Sequence, residues 1–266
     1  MGLPAERAAR LIAGDGDALL PLPNAMFVRD TSAWLGGELV LGAVVNPVRG
    51  RESELLAAAY GAHPAFAARP GGCRPLRVPG IEGGDLFCLG PRAALVGVGA
   101  RSRAVAVEGL AESLFAAGFE RVLVVEIPKE RFSIHLDCLM TLIDLDLLLI
   151  DRRLRGAGVV ELLPRGGPVE SRIHLGIEGA LADALELDAL RVVEVADERE
   201  QWTLAANTLA LEPGRVLAFA HNERTNEALA AAGADVVAVP GVELARGHGG
   251  PRCLTCPLSR DAAPSP

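Results

Sequence analysis

A short pattern of strand, arginine-bearing turn, helix and strand recurs along the sequence and restricts the fold more than any other feature. The helices place apolar residues three or four positions apart, as at Val107, Leu110 and Leu114, and they alternate with short apolar strands, which is typical of an α/β fold. Repetition of one unit favours blades around an axis over a doubly wound open sheet. The alternative is an ordinary βαβ protein whose loops are alike by chance.

Three copies of this unit are predicted, and a fourth is a candidate. The predicted elements are a strand at 38–45 and a helix at 53–60, then a strand at 93–98, a helix at 104–117 and a strand at 121–126, and finally a strand at 216–220, a helix at 226–232 and a strand at 235–239. The candidate fourth unit contains a strand pair at 142–151 and 159–163, a helix at 177–184 and a strand at 191–195.

Length and composition predict one soluble domain over residues 1–266. Half of the residues are hydrophobic, but the longest apolar run, Leu139 to Ile150, contains Asp144 and Asp146 and is shorter than the roughly 20 residues that span a bilayer. We therefore expect no membrane partner. The formal net charge of −8 argues against nucleic acid as a partner, because a polyanion attracts basic surfaces.

The two ends are predicted to lie outside the repeated units. Residues 1–20 have the composition of a polar N-terminal extension, and the stretch 258–266, rich in Ala, Pro and Ser, is predicted to be disordered. The first residues lack the cationic segment and apolar core of a secretory signal, which predicts a cytoplasmic protein. Five cysteines without regular spacing fit a reducing compartment better than a disulfide framework.

A turn-rich stretch near the C-terminus contains the first candidate for chemistry. The sequence GHGGPRCLTCP at 247–257 predicts a stiff loop that presents Cys253 as a nucleophile. Cys253 and Cys256 are also half of a possible zinc site or a redox pair, but neither a second CxxC nor paired histidines accompany them. We therefore expect no metal and no cofactor.

Three other short clusters combine ionisable residues with apolar neighbours or glycines. Asp30 belongs to a charged pair inside an apolar stretch, and Glu82 and Asp85 flank two glycines that permit a tight turn. His135 and Asp137 lie two positions apart, so an extended segment would place both on one face. Each cluster alone is more commonly structural, as a salt bridge, a turn or a satisfied hydrogen-bonded pair.

Taken together, the clusters follow an order that resembles the arginine deiminases, members of the guanidine-modifying superfamily. The likeness extends from about residue 20 to the C-terminal tail. It is carried by residues 21–24 and 27–34, Glu82-Gly83-Gly84-Asp85, residues 97–101, His135-Leu136-Asp137, residues 200–202, Asn207, residues 212–214 and residues 249–257. The resemblance implies a five-bladed α/β propeller of repeated units around a pseudo-fivefold axis.

The resemblance also implies roles for the ionisable residues. Asp30 and Asp137 match the family's two carboxylates that bind the substrate guanidinium group. Carboxylates suit this role because paired hydrogen bonds to ionised oxygens are short and directional. Cys253 would attack the guanidinium carbon, expel ammonia and form a covalent amidino intermediate. His135 would be the proton shuttle and Glu82 its orienting partner. The implied activity is hydrolysis of free L-arginine to citrulline and ammonia.

The amino-acid end of the substrate has its own matches. Arg49 and Arg101 match the arginines that bind the substrate carboxylate, for which a planar guanidinium is well suited. Asn24, Phe27 and Gly247 match positions that line this end of the site, and Asp85 would support either the substrate's amino group or the loop. These matches favour free L-arginine over peptidyl arginine or agmatine, which lacks a carboxylate.

Two departures from the family pattern stand out. The sequence lacks the family's N-terminal segment, which includes one blade, and its helical insert, so we expect a short propeller. A homo-oligomer or a partner chain completes it, or it is open, or the sequence is a fragment of a longer protein. His248 stands where the family often has arginine in a gating loop. The alternatives are another guanidino-group enzyme, such as an amidinotransferase or a methylarginine hydrolase, and a non-catalytic arginine-binding paralogue.

Overall fold

A four-element unit dominates the computed structural model, which describes residues 22–67, 75–164 and 170–259. The unit consists of two antiparallel strands, a helix, and a third strand parallel to the second, and it occurs four times within these ranges. A parallel pair needs a long crossover connection, and each unit contains a helix in that connection. The prediction of an α/β fold is confirmed.

The first two units follow a short helix, α1 (Val28–Thr31). The first unit comprises β1 (Ser32–Leu35), β2 (Glu38–Ala43), α2 (Gly50–Ala62), the short helix α3 (Pro64–Ala67) and β3 (Leu76–Pro79). The second comprises β4 (Leu86–Cys88), β5 (Ala93–Val98), α4 (Ala104–Ala116) and β6 (Arg121–Glu126).

The third unit is the candidate from the sequence, and it contains an inserted hairpin. It comprises β7 (Met140–Leu142), β8 (Leu147–Ile150), the hairpin strands β9 (Val159–Leu163) and β10 (Glu170–His174), α5 (Ile177–Ala184) and β11 (Arg191–Glu194). After the short helix α6 (Glu198–Trp202), the fourth unit comprises β12 (Leu209–Glu212), β13 (Arg215–Phe219), α7 (Glu223–Ala231) and β14 (Asp235–Val239), and α8 (Val242–Arg246) follows it.

The predicted pairing of residues 142–151 with residues 159–163 is wrong. β8 has β7 on one side and β11 on the other, so neither of its edges is open to β9. β6 ends the second unit with a free edge, and β9 pairs antiparallel with it, Val125 opposite Val159. The hairpin thereby extends the second sheet to five strands, in the order β10-β9-β6-β5-β4.

Apolar side chains fill the space between the units. The predicted face of α4 is buried, with Val107, Leu110 and Leu114 against the sheet that contains β5. A second cluster joins the second and third units and includes Leu95 and Leu148, both fully buried. The helices and strands therefore stabilise one another through the hydrophobic effect.

Two of the predicted functional clusters form short 3-10 helices at the ends of strands. One spans Gly83–Asp85 between β3 and β4, and the other spans Leu136–Cys138 between β6 and β7. The expectation that an extended segment holds His135 and Asp137 is wrong: only His135 is extended, and Asp137 lies within the turn. The two 3-10 helices contact one another, which brings the clusters together.

The predicted N-terminal extension at residues 1–20 lies outside the described residues, as do residues 260–266 of the predicted tail. Across the described ranges, every helix is too short or too polar to span a bilayer.

Candidate active site

The loop that carries Cys253 is anchored on both sides of the sulfur-bearing residue. The Cys253 amide N–H donates to Asn207 Oδ1 at 3.1 Å, and the Cys253 carbonyl accepts from the amide N–H of Arg29 in α1 at 3.2 Å. The side chain is buried, with the residue 2% exposed. Two distant parts of the chain, through the Asn207 side chain and the Arg29 backbone, therefore hold the Cys253 backbone in place.

Close packing explains the glycines of this loop. A Cβ atom at Gly249 would lie 2.1 Å from the ring of Phe27, and one at Gly250 would lie 2.6 Å from the backbone oxygen of Asn207. Gly247, at the end of α8, also faces the Phe27 ring. Phe27, predicted to line the substrate site, is buried beneath these glycines and supports the cysteine loop.

The thiol lies beside Asp137. Cys253 Sγ is 3.7 Å from Oδ2 and 3.9 Å from Oδ1 of this fully buried carboxylate. Burial raises the pKa of Asp137, and the positive charges of His135 and Arg252 oppose that rise. The guanidinium of Arg252 packs over the ring of Phe87 at 3.8 Å, and its Nε is 3.7 Å from Asp137 Oδ2.

Burial and nearby acids keep the thiol neutral in the free protein. Burial raises the pKa of Cys253 well above its usual value, and the charges near it, those of Asp137 and Asp30 among them, raise it further. A thiolate in this position would add another negative charge to a carboxylate-rich site. The Cys253 thiol therefore needs a cation beside it before it ionises.

His135 lies between two acids and is fully buried. Its Nε2 is 2.7 Å from Glu82 Oε2 and its Nδ1 is 3.7 Å from Asp30 Oδ1. Burial lowers the pKa of His135, but the charges of Asp30, Asp85 and Glu82 and the hydrogen bond to Glu82 outweigh it and raise the pKa to about 10. The imidazole is consequently protonated at neutral pH.

Glu82 is the ionised partner of this imidazolium. Burial raises its pKa, but the hydrogen bond and charge of His135 lower it to below its usual value. The Val45 amide N–H donates to Glu82 Oε1 at 2.8 Å, and Nη1 of the partly exposed Arg101 lies 3.8 Å from the same oxygen. Glu82 thus connects the histidine to one of the two predicted carboxylate-binding arginines.

Asp85 is bound by the protein itself. Its Oδ2 accepts from the Ser102 hydroxyl at 2.6 Å, and its Oδ1 accepts from the Leu136 amide N–H at 2.7 Å. Burial raises the pKa of Asp85 to about 7. Of the two roles considered for Asp85, these contacts favour support of the loop, since they fix the backbone directly after His135.

The glycines at 83 and 84 allow close approach rather than an unusual backbone angle. A Cβ atom at Gly83 would lie 2.1 Å from the carbonyl oxygen of Arg29, and one at Gly84 would lie 2.6 Å from the His135 ring. Neither glycine has a positive φ. The two carboxylates that flank them, Glu82 and Asp85, can therefore lie directly against the histidine loop.

Asp30 and Arg49 form a buried ion pair. Arg49 Nη1 is 2.6 Å from Asp30 Oδ2, and Arg49 Nε is 2.9 Å from Glu52 Oε2. Glu52 Oε1 accepts from the Asn24 amide N–H at 2.9 Å, and the Asn24 carbonyl lies 3.4 Å from Arg49 Nη2. The structure thus brings together Asn24, Asp30 and Arg49, which were predicted to contact different parts of a substrate.

Glu52 and Asn207 contribute to the site although the sequence pattern assigned them no role. Glu52 connects Arg49 to Asn24, and Asn207 connects the cysteine loop to the Asp137 carbonyl, to which its Nδ2 donates at 2.9 Å. Asn207 belongs to the family pattern, but its contacts lie 46 and 70 residues away along the chain. Only a structure could show which groups it joins.

Cys253 and Cys256 do not belong to a group with metal-ligand spacing in the part of the chain that the structure describes. Cys256 Sγ lies 3.5 Å from the Ser32 carbonyl. Within the described ranges, one group has metal-ligand spacing, Glu161, His174 and Asp183. Arg121 pairs with both of its carboxylates, so a guanidinium already provides their positive counter-charge.

The arginine deiminase family model matches residues 7–260. The chain belongs to the arginine deiminase family. It is 37% identical over 254 residues to the arginine deiminase of Rhodococcus erythropolis, with 92% of this chain and 62% of that protein covered. It is 38% identical over 256 residues to that of Mycobacterium avium, with 92% and 63% covered. The chain therefore spans less than two thirds of the length of these relatives.

Solved structures share the fold. A variant of the DDAH from Pseudomonas aeruginosa, complexed with citrulline, superposes with a TM-score of 0.63 at 21% identity and covers 92% of this chain and 84% of its own. The N-terminal domain of ArgZ, a cyanobacterial arginine dihydrolase, gives a TM-score of 0.65 at 17% identity, with 90% and 77% covered. At these identities the comparison supports the architecture alone.

Proposed function

We propose that this chain hydrolyses the guanidinium group of free L-arginine to L-citrulline and ammonia through a covalent intermediate on Cys253. The observation that carries the proposal is the convergence of a buried thiol, the Asp137 carboxylate 3.7 Å from it, and a histidine held between Glu82 and Asp30. The arginine deiminases among the relatives support the same chemistry.

The carboxylates prepare the substrate for attack. A guanidinium ion is planar and unreactive because its charge is delocalised, so its carbon must be held at a fixed distance from the nucleophile. Asp30 and Asp137 would accept hydrogen bonds from the guanidinium nitrogens, and Asp137 already lies against the sulfur. A guanidinium bound to Asp137 would therefore place its carbon next to Cys253.

The same cation would activate the thiol. Its positive charge favours the thiolate, and the Cys253 proton leaves to solvent as the thiolate forms. The thiolate adds to the guanidinium carbon, and the protonated His135 donates a proton to the departing nitrogen, which leaves as ammonia. The product of this step is a positively charged amidino group on sulfur and a neutral His135.

Water completes the reaction. The neutral imidazole takes a proton from a water molecule as its oxygen adds to the amidino carbon. The tetrahedral species then loses the proton of its new hydroxyl group to solvent and releases citrulline and the Cys253 thiolate, which is protonated from solvent. His135 is protonated again at the end, so it acts first as an acid and then as a base, the order that its protonated resting state requires.

The amino-acid end of arginine would be bound by Arg49 and Arg101. Arg101 is partly exposed beside Glu82, and Arg49 lies beside Asp30. Asn24 and Gly247 would complete this end of the site, and Phe27 would support it from beneath the glycines of the cysteine loop. No cofactor or metal takes part in the steps above.

We further propose that the four units are blades of an α/β propeller with pseudo-fivefold symmetry, within a single cytoplasmic domain. The four described units would fill four of its five positions. A second copy or a partner chain at the fifth position would raise the mass of the assembly, which native mass spectrometry of the purified protein measures.

The proposal is tested by incubating the purified chain with L-arginine and measuring citrulline and ammonia. We expect the two products in equal amounts. Arginine binding without product would show a non-catalytic binding protein. Citrulline formation from methylated arginine alone would show a methylarginine hydrolase, and transfer of the amidino group to an added amine would show an amidinotransferase.

The ionisation of Cys253 is expected to depend on guanidinium. In the presence of guanidinium chloride at a concentration that calorimetry shows to saturate the site, the pH at which iodoacetamide alkylates Cys253 should fall by more than about one unit, because a cation about 4 Å from a thiolate stabilises it by several kcal/mol at an effective dielectric constant of 20. Mass spectrometry of the peptide that contains Cys253 measures the rate. Sodium chloride at equal concentration and the partly buried Cys256 serve as controls, and an unchanged Cys253 profile would contradict activation by the bound cation.

Asn207 is expected to position the nucleophile rather than to bind substrate. Asn207→Ala should lower kcat about 10- to 100-fold, because a small displacement of a reacting group is costly, while KM changes less than about threefold. Asn222→Ala is the matched control, since Asn222 is also buried and its amide also contacts a distant residue, Thr203. A loss of activity in both variants, in proportion to their loss of stability, would contradict a positioning role for Asn207.

A further inference from the structure

The ion pair between Arg49 and Asp30 joins two residues that act on opposite ends of the proposed substrate. Arg49 Nη1 is 2.6 Å from Asp30 Oδ2, and both side chains are buried. Under the proposed function, Asp30 binds the substrate guanidinium and Arg49 binds the substrate carboxylate. In the free protein, the Arg49 guanidinium is therefore paired with the carboxylate that would bind the substrate guanidinium, and the Asp30 carboxylate is paired with the guanidinium that would bind the substrate carboxylate.

Glu52 keeps Arg49 in place by a second contact. Its Oε2 accepts from Arg49 Nε at 2.9 Å, and its Oε1 accepts from the Asn24 amide N–H at 2.9 Å. Nε lies at the base of the guanidinium group, whereas Nη1, which contacts Asp30, lies at its end. The end can change partner while the contact at the base is kept.

A substrate guanidinium cannot simply be added to this arrangement. With Arg49 still bound, two guanidinium cations would share the Asp30 carboxylate in a buried site, where like charges repel strongly. The imidazolium of His135 also lies 3.7 Å from the other oxygen of Asp30. The carboxylate therefore has positive neighbours on both oxygens before substrate arrives.

We propose that arginine binds by an exchange of ion pairs, in which its carboxylate draws Arg49 from Asp30 and its guanidinium takes the position that Arg49 leaves. Arg49 is then a specificity-determining residue that acts as an internal competitor for Asp30. This inference rests on the proposed function and extends it, because it states why the two ends of the substrate are recognised together.

The exchange penalises a ligand that lacks a carboxylate. Arginine replaces one buried ion pair by two, since both Arg49 and Asp30 receive new partners. Agmatine has the same guanidinium group but no carboxylate, so it would have to displace Arg49 without giving it a new anion. Breaking a buried pair by removing one partner is strongly unfavourable, and agmatine binding is consequently weak.

The test measures arginine and agmatine binding by calorimetry in the Cys253→Ala background, so that no turnover occurs. Adding Arg49→Gln should weaken arginine binding at least about tenfold, because a neutral glutamine does not bind a carboxylate strongly. It should strengthen agmatine binding about fivefold or more, because glutamine does not compete with the agmatine guanidinium for Asp30. Arg101→Gln is the matched control, since Arg101 contacts Glu82 and not Asp30. It should weaken arginine binding and leave agmatine binding unchanged.

Opposite changes for the two ligands are specific to the exchange. If Arg49 only bound the substrate carboxylate, Arg49→Gln would weaken arginine binding and leave agmatine unaffected. Unchanged or weaker agmatine binding in a folded Arg49→Gln protein would overturn the inference, while citrulline formation by the wild type would leave the proposed function standing. A wild-type chain that neither binds nor hydrolyses arginine would contradict the proposed function itself.

A second measurement keeps Arg49 intact in case its replacement unfolds the protein. L-2-aminobutyrate supplies the carboxylate end and methylguanidine supplies the guanidinium end. If the carboxylate draws Arg49 away from Asp30, saturating L-2-aminobutyrate should tighten methylguanidine binding about fivefold or more, and linkage requires the reverse effect to be equal. Independent binding of the two fragments would overturn the exchange.

Discussion

Cys253→Ala is expected to abolish citrulline formation, with a loss on the order of 10⁵-fold or more, the scale at which removal of a catalytic nucleophile acts. Alanine has no group that can form the amidino intermediate. The carboxylates that would hold the substrate are unaffected, since the Asp137 carboxylate also contacts Arg252 and the Asp30 carboxylate contacts Arg49. Arginine binding, measured by calorimetry, should therefore stay within about tenfold of the wild type.

Two further measurements identify the thiol as the nucleophile. Cys88→Ala, at a cysteine in β4 whose thiol donates to the Gly90 carbonyl, should keep wild-type activity. Acid quenching of the wild type during turnover should leave the amidino mass on the peptide that contains Cys253. Turnover by Cys253→Ala at more than about one hundredth of the wild-type rate would rule out this covalent route.

The elements with local signals were predictable from the sequence. The strands at 93–98, 121–126 and 235–239 and the helix at 177–184 have the predicted bounds, because their apolar spacing and flanking turns are encoded within a few residues. The helix expected at 53–60 extends over residues 50–62, since its polar first turn carries no apolar signal. Local patterns fix the type of an element better than its ends.

Long-range pairing could not be predicted from the same signals. The apolar strand β9 has the composition of a partner for β8, but β6 provides the free edge. Such a choice depends on which edges remain open after the other units have formed. The Asp30–Arg49 ion pair is also a long-range contact. Its two residues are 19 positions apart in the sequence, and only the packing of the elements that carry them brings them together.

The candidate site was predictable in its residue types but not in its contacts. The order of the motifs indicated that Cys253, His135 and Asp137 belong together, and the structure places them in one buried cluster. The glycines at 83 and 84 were expected to permit a turn, and the chain does turn there in a 3-10 helix, but the glycines also leave space for Arg29 and His135. Sequence spacing carries no information about which distant atom approaches a glycine.

His135→Asn is expected to lower kcat by about 10²- to 10⁴-fold, the usual contribution of a positioned acid and base. Asparagine keeps a hydrogen-bond donor near Glu82, but it cannot protonate the departing ammonia or deprotonate the attacking water. KM should change little, because the proposed binding groups are Asp30, Asp137 and the arginines. His174→Asn, at a buried-carboxylate contact in the β9–β10 hairpin, is the matched control and should keep full activity.

The pH profile separates this role from a structural one. The pKa of His135 is raised to about 10, so the acid form is present at neutral pH and is lost as the pH rises through that value; wild-type kcat/KM should therefore fall there. Glu82→Gln removes the ionised partner that helps to raise this pKa, so the fall should move at least about one unit lower, equivalent to about 1.4 kcal/mol. An alkaline limit that stays in place in Glu82→Gln would mean that another group titrates. An alkaline limit of kcat/KM that persists in His135→Asn would lead to the same conclusion, because that variant has no imidazolium to deprotonate.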